Sequence, residues 1–144
     1  MGKVTVCIEI EASPAKVFDF VIGDKANELS PEWFRGEWTS EKPIGIGSTA
    51  HYAGLHKYNK GEEWNGEITE FARNKSLTIF LRGVNKKSHD QTNHYAFEPT
   101  NKGTKVSFTM EYKAGKLIDA LVVKRMVEEE DTKMLEKLKK AVEA

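Results

Sequence analysis

The sequence predicts an α+β fold: a seven-stranded antiparallel sheet, two short helices after the first strand, and one long helix at the C-terminus. Three observations carry this. Seven stretches of strand-type patterning are separated by short turns, which implies antiparallel neighbours, because parallel strands need long crossovers. Ser13-Pro14 opens a helix directly after the first strand. Residues 116–142 repeat apolar side chains at helical spacing.

Taken in order, residues 3–11 alternate, with Val4, Val6, Ile8 and Ile10 on one face and Thr5, Cys7, Glu9 and Glu11 on the other, the mark of a half-buried strand. Ser13 offers its hydroxyl to the orphan amides of the first helix, and Val17, Phe18, Val21 and Ile22 form its apolar stripe. Gly23 ends it, and residues 24–29 form a second helical piece before Ser30-Pro31. Residues 33–42 read as a strand and 43–47 as a glycine-rich turn. That turn lacks the lysine and following helix of a P-loop and the three-glycine spacing of a dinucleotide site. Strands follow at 48–55, 63–71, 76–83, 91–98 and 104–112.

Turn positions fix the pairing. A hairpin closing at 99–104 sets Glu98 opposite Lys105, Phe97 opposite Val106, Tyr95 opposite Phe108, Asn93 opposite Met110 and Gln91 opposite Tyr112. The inward face then holds Phe97, Tyr95, Val106, Phe108 and Met110, and carries Gln91 and Asn93 with it. The turn near 72–75 sets Ile68 opposite Ile79 and Gly66 opposite Leu81, with Trp64 inward and Phe80 and Arg82 outward.

The long helix has two unlike halves. Residues 117–127 carry Leu117, Ile118, Leu121, Val122, Val123, Met126 and Val127 nearly all round, which predicts burial on more than one side. After Glu128 the stripe narrows to Met134, Leu135, Leu138 and Val142, with Glu129–Lys133 and Glu136–Lys140 as i,i+4 pairs and the run 128–131 as a solvated face.

At 144 residues the chain is expected to form one domain over 1–144. Basic and acidic residues balance, 22 against 22, so no global field draws it to nucleic acid or to an anionic membrane, and no stable membrane association is expected. A lone Cys7 excludes an internal disulfide and a cysteine-based zinc site; without a signal peptide or a long apolar run, the expected setting is the cytoplasm. His89 and His94 fall on opposite faces of one strand, and His51 and His56 complete no ligand pattern, so no metal or other cofactor is expected.

The segments 8–18, 33–47, 66–71, 95–99 and 103–106, in this order and spacing, resemble the START-like (SRPBCC, helix-grip) superfamily, in its polyketide cyclase/dehydrase branch. The resemblance implies that the sheet is curved and wraps the terminal helix, leaving a hollow that holds an apolar or amphipathic small molecule. It implies no fixed catalytic set, and no catalytic motif is found. The open end falls at the loops 56–62, 83–90 and 113–116, which sets Gln91 and Tyr112 at the mouth, Asn93 and Met110 deeper, and Tyr95 and Phe108 deeper still. A dry void of roughly 300 Å³ would cost about 7 kcal/mol, so the space is either filled by side chains or open and polar-lined. The candidate ligand-contact residues are Trp64, Leu81, Gln91, Asn93, Tyr95, Phe108, Met110, Tyr112, Ile118, Val122 and Met126, while Trp33 and Trp38 read as structural or surface residues. His51, Glu28, Asp119 and Glu67 are the ionisable groups that could serve as an acid or base.

The leading expectation is a non-enzymatic binding or carrier protein for a lipid, sterol or aromatic, polyketide-like molecule. The alternatives are a cyclase/dehydratase-type enzyme and a protein-interaction module resembling the Hsp90-activator branch.

Overall fold

A computed structural model describes residues 2–29, 33–57, 59–113 and 117–144, with the side chains of residues 27, 28 and 117–119 outside the description. Seven strands, β1 (Gly2–Ile10), β2 (Phe34–Trp38), β3 (Thr49–Gly54), β4 (Glu63–Ala72), β5 (Ser76–Gly83), β6 (Gln91–Pro99) and β7 (Thr104–Tyr112), form one antiparallel sheet. Its order is β1-β7-β6-β5-β4-β3-β2, so every pair except β1–β7 joins chain neighbours. The sheet curls round a long helix, α2 (Leu117–Glu143), and helix α1 (Pro14–Val21) and a 3-10 turn (Asp24–Glu28) follow β1. This is the helix-grip fold that the order of elements predicts.

Local chemistry accounts for the boundaries. Ser13 accepts from the Lys16 amide at 3.2 Å and so caps α1. β2 stops at Trp38 rather than running to residue 42, because the amides of Thr39 and Ser40 both converge on the Thr49 carbonyl, at 2.9 and 3.3 Å. The registers Gln91–Tyr112, Asn93–Met110, Tyr95–Phe108 and Phe97–Val106 are those set by the turn, as are Ile68–Ile79 and Gly66–Leu81. A bulge between Ile68 and Glu70 bends β4, and a Cβ at Gly66 would come within 2.9 Å of Leu81 and 3.1 Å of the Tyr52 ring. Close packing over the concave face therefore requires glycine there.

The sheet closes around the turn between β6 and β7. Val17, Phe18, Leu77, Val106 and Leu138 have no exposed surface, and Phe18 meets Phe71 and Phe97 edge-on with ring centroids 5.3 Å apart. The last turn of α2 is fastened to β1: Glu143 accepts from the Glu11 amide at 2.8 Å and Lys139 donates to the Glu9 carbonyl at 2.9 Å. The Lys139 contact occupies a carbonyl of the edge strand β1, and the Glu143 contact holds the residue just beyond its end.

The first half of α2 departs from expectation. Leu121 and Val122 are each 66 % exposed, while Val123, Met126 and Val127 are half-buried. Helical phase explains it. Val122 precedes the buried Asp131 by nine residues, which is about two and a half turns and sets it on the opposite side of the helix. Lys133, expected to pair with Glu129, instead meets Glu130 at 3.4 Å.

Candidate functional site: a cavity between sheet and helix

The concave face of the sheet and α2 enclose two adjoining cavities. The inner one has a volume of about 130 Å³ and the outer one about 250 Å³. Trp33, Phe34, Trp64, Gln91, Met110, Glu130 and Asp131 border both, so the two share a wall. The inner cavity is closed by Tyr52, Leu81, Asn93, Tyr95 and Phe108 from the strands and by Val21 and Leu29 from the helical segments after β1. The outer one opens among Asn59, Glu62, His89, Asp90, Tyr112 and Lys113.

Most of the residues singled out in the sequence come together here. Leu81, Asn93, Tyr95 and Phe108 line the inner cavity, Tyr112 and Met126 the outer, and Trp64, Gln91 and Met110 border both. Val122 does not: the phase of α2 turns it into solvent, which corrects its assignment as a cavity residue. Ile118 lies outside the described side chains. Trp33 and Trp38, read from sequence as structural or surface residues, both border the inner cavity, and β2 and the residue before it supply them.

Several polar atoms are held against these walls. The Trp64 indole donates to the His89 carbonyl at 2.9 Å, and Gln91 donates to Asn93 at 3.0 Å. Tyr95 has only a long contact, 3.8 Å, to the sulfur of Met134. Among the described residues four buried side-chain polar atoms find no hydrogen-bond partner: Nε1 of Trp38, Oδ1 of Asn74, the hydroxyl of Tyr112 and Oδ2 of Asp131. Such atoms are costly when left unmet, and those of Trp38, Tyr112 and Asp131 belong to residues that border the cavities, whereas Asn74 lies in the β4–β5 turn away from them.

Asp131 is the residue that sequence reading missed. It is only 5 % exposed, and burial, reinforced by the neighbouring Glu130, pushes its carboxyl up to about 7. The run 128–131 is thus not uniformly solvated. The signal was available in the spacing, since Asp131 lies four residues after Val127, three before Met134 and four before Leu135, and so shares their face. Burial pushes the Tyr52 hydroxyl up to about 12 and raises Tyr95 and Tyr112 as well, the last two with a contribution from Asp131. Of the acid or base candidates, Glu67 is exposed and His51 lies 3.9 Å from Glu63 on the other face of β3 from Tyr52, while the side chains of Glu28 and Asp119 lie outside the description.

A family model described as polyketide cyclase / dehydrase and lipid transport matches residues 1–143. The chain belongs to this family. A search of the curated proteins finds no match. Among solved structures, a START superfamily protein from Mycobacterium smegmatis superposes with a TM-score of 0.77 at 16 % identity, covering 98 % of this chain and 97 % of that one. A protein of Thermus thermophilus gives 0.75 at 18 % identity over 98 % and 97 %. DynU16, from the dynemicin biosynthetic locus, gives 0.67 at 10 % identity, covering 99 % of this chain and 47 % of its own. Identities this low establish a shared START-like fold and leave the chemistry to the cavity itself. The family fold supports a general role in holding hydrophobic ligands, and no helix among the described residues is long and apolar enough to cross a membrane.

Proposed function

We propose that the protein binds a small amphipathic molecule, largely aromatic or aliphatic in body, in the space between its sheet and α2. The observation that supports this reading is the meeting of apolar walls with unpartnered polar atoms on Trp38, Tyr112 and Asp131. A cavity of this make-up gains from a ligand that covers the walls and answers the polar atoms. Native mass spectrometry of gently purified protein is expected to detect a bound small molecule, and Met110→Trp, which fills the wall common to both cavities, is expected to remove it while unfolding stays cooperative. A wild-type spectrum free of adducts, together with no thermal shift from lipid, sterol and aromatic probes, would defeat the proposal.

Asp131 favours a second reading, a proton-transfer enzyme acting on a bound carbonyl compound. A carboxyl that titrates near neutral pH suits general acid–base chemistry. This reading expects turnover of a short β-ketoacyl thioester mimic that falls about 100-fold in Asp131→Asn, in line with the usual weight of a general acid or base. Equal rates for the two proteins would end it.

A further inference from the structure

Asp131 is more deeply buried than Glu130 and Thr132 beside it on α2, and no cation among the described residues forms an ion pair with it. Among the described residues its Oδ2 meets no hydrogen-bond partner, and the charged residue that acts on it, Glu130, is also acidic. Glu130 already has Lys133 at 3.4 Å. No lysine, arginine or histidine is among the described residues that line the inner cavity. At the outer mouth Glu62 and Asp90 face Lys113 and His89, so carboxyls outnumber cations over the two cavities together. The walls of the cavities that Asp131 borders are rich in aromatic residues: Phe34 and Trp64 line both, Trp38 and Tyr95 the inner and Tyr112 the outer.

A buried carboxyl without a counter-ion, set among aromatic rings, is complementary to an organic cation. The carboxylate supplies the counter-charge, and the rings supply apolar contact and attraction to the positive end. An anionic ligand would instead meet Asp131 and Glu130 at close quarters. From this geometry we infer that the ligand is an amphipathic amine, bound as its ammonium form with the charged end at Asp131 and the hydrocarbon body along the aromatic walls. The inference rests on the binding reading above and names its ligand class.

Linkage gives such a complex a pH signature. The titratable groups that line the cavities with Asp131 are Glu130 on its own helix, Tyr52, Tyr95 and Tyr112 from the sheet, and Glu62, His89, Asp90 and Lys113 at the mouth. The carboxyl titrates near 7 in the ligand-free protein. An ammonium group would hold it ionised to lower pH, so binding below that value expels a proton from Asp131. Affinity for an amine should weaken about tenfold per pH unit as pH falls below roughly 7, and stay level above it.

The test compares 4-phenylbutylamine, 4-phenylbutanol and 4-phenylbutyrate, which share a body and differ in the end group, with binding followed by the fluorescence of the cavity tryptophans. At pH 8 the amine should bind about tenfold tighter than the alcohol, as one partly desolvated ion pair warrants, and the carboxylate weakest. Asp131→Asn should bring amine and alcohol within about threefold of each other and abolish the pH slope, while Asp131→Glu should restore part of both. Alcohol or carboxylate binding as well as the amine, or an amine preference unchanged in Asp131→Asn, would overturn the amine inference and leave the binding reading standing. Failure of all three probes to bind would count against both.

Discussion

At the closed end of the molecule Phe18 lies without exposed surface between Phe71 and Phe97, and Leu138 of α2 packs into the same cluster. Seven residues earlier on the same helix face, Asp131 meets a cavity instead of a side chain. The separation along the axis is about 10 Å, so one helix face runs within two turns from solid core to binding space. Strands β4 to β7 show the same division, with Leu77, Phe97 and Val106 at one end and Trp64, Gln91 and Met110 at the other. Stability and recognition are thus segregated along the strands: the closed end provides the folding energy that lets the open end keep unmet polar groups.

The largest expected effect comes from breaking the closed end. Phe18→Ala should cost about 3–5 kcal/mol by chemical denaturation, the range for truncating a fully packed aromatic residue. Probe affinity of the folded fraction should move by less than about twofold. A loss of stability under about 1 kcal/mol would mean that the two ends share one loosely packed interior.

The next effect has the opposite sign. The Asp131 carboxyl is raised from 3.8 to about 7 on folding, so its ionisation opposes the folded state: the cost is absent below about 4, grows as pH rises from about 4 to about 7, and is constant above that. Asp131→Asn should therefore stabilise the protein at pH 8, by an amount on the order of 4 kcal/mol at most, and change little at pH 4. Paired melting curves at the two pH values check this; a variant less stable than wild type at pH 8 would show that Asp131 supports the fold rather than strains it.

The smallest effect sharpens the outer boundary of the cavity. Val122→Trp lies on the exposed side of α2 and should change stability by no more than about 0.5 kcal/mol, with unaltered probe binding. Loss of binding in that variant would bring Val122 back to the site.

Much of this division is legible in the sequence, for identifiable reasons. Strand side chains alternate strictly, so once the β6–β7 turn is located, the facing of Asn93, Tyr95, Phe108 and Met110 follows without further information. Helical facing is harder. Seven apolar residues crowded into the start of α2 suggest all-round burial, yet only helical phase relative to Leu135 and Leu138 separates the exposed Val122 from the half-buried Val123. Asp131 was hidden by its company, because four consecutive acids read as solvent-facing although each points in its own direction. Trp33 and Trp38 could not be assigned either, since their approach to the cavity depends on how far the sheet curls, and no local pattern encodes that curl.

The β1–β7 pairing also bears on how such a chain is made. Gly2 lies opposite Tyr112 and Ile10 opposite Thr104, and the edge of β1 is fastened by Lys139 and Glu143. During vectorial synthesis β1 leaves the ribosome well before β7 and α2, the elements that cover it. Contacts so distant in sequence are slow to form, so the apolar face of β1 stays uncovered until β7 and α2 have been made.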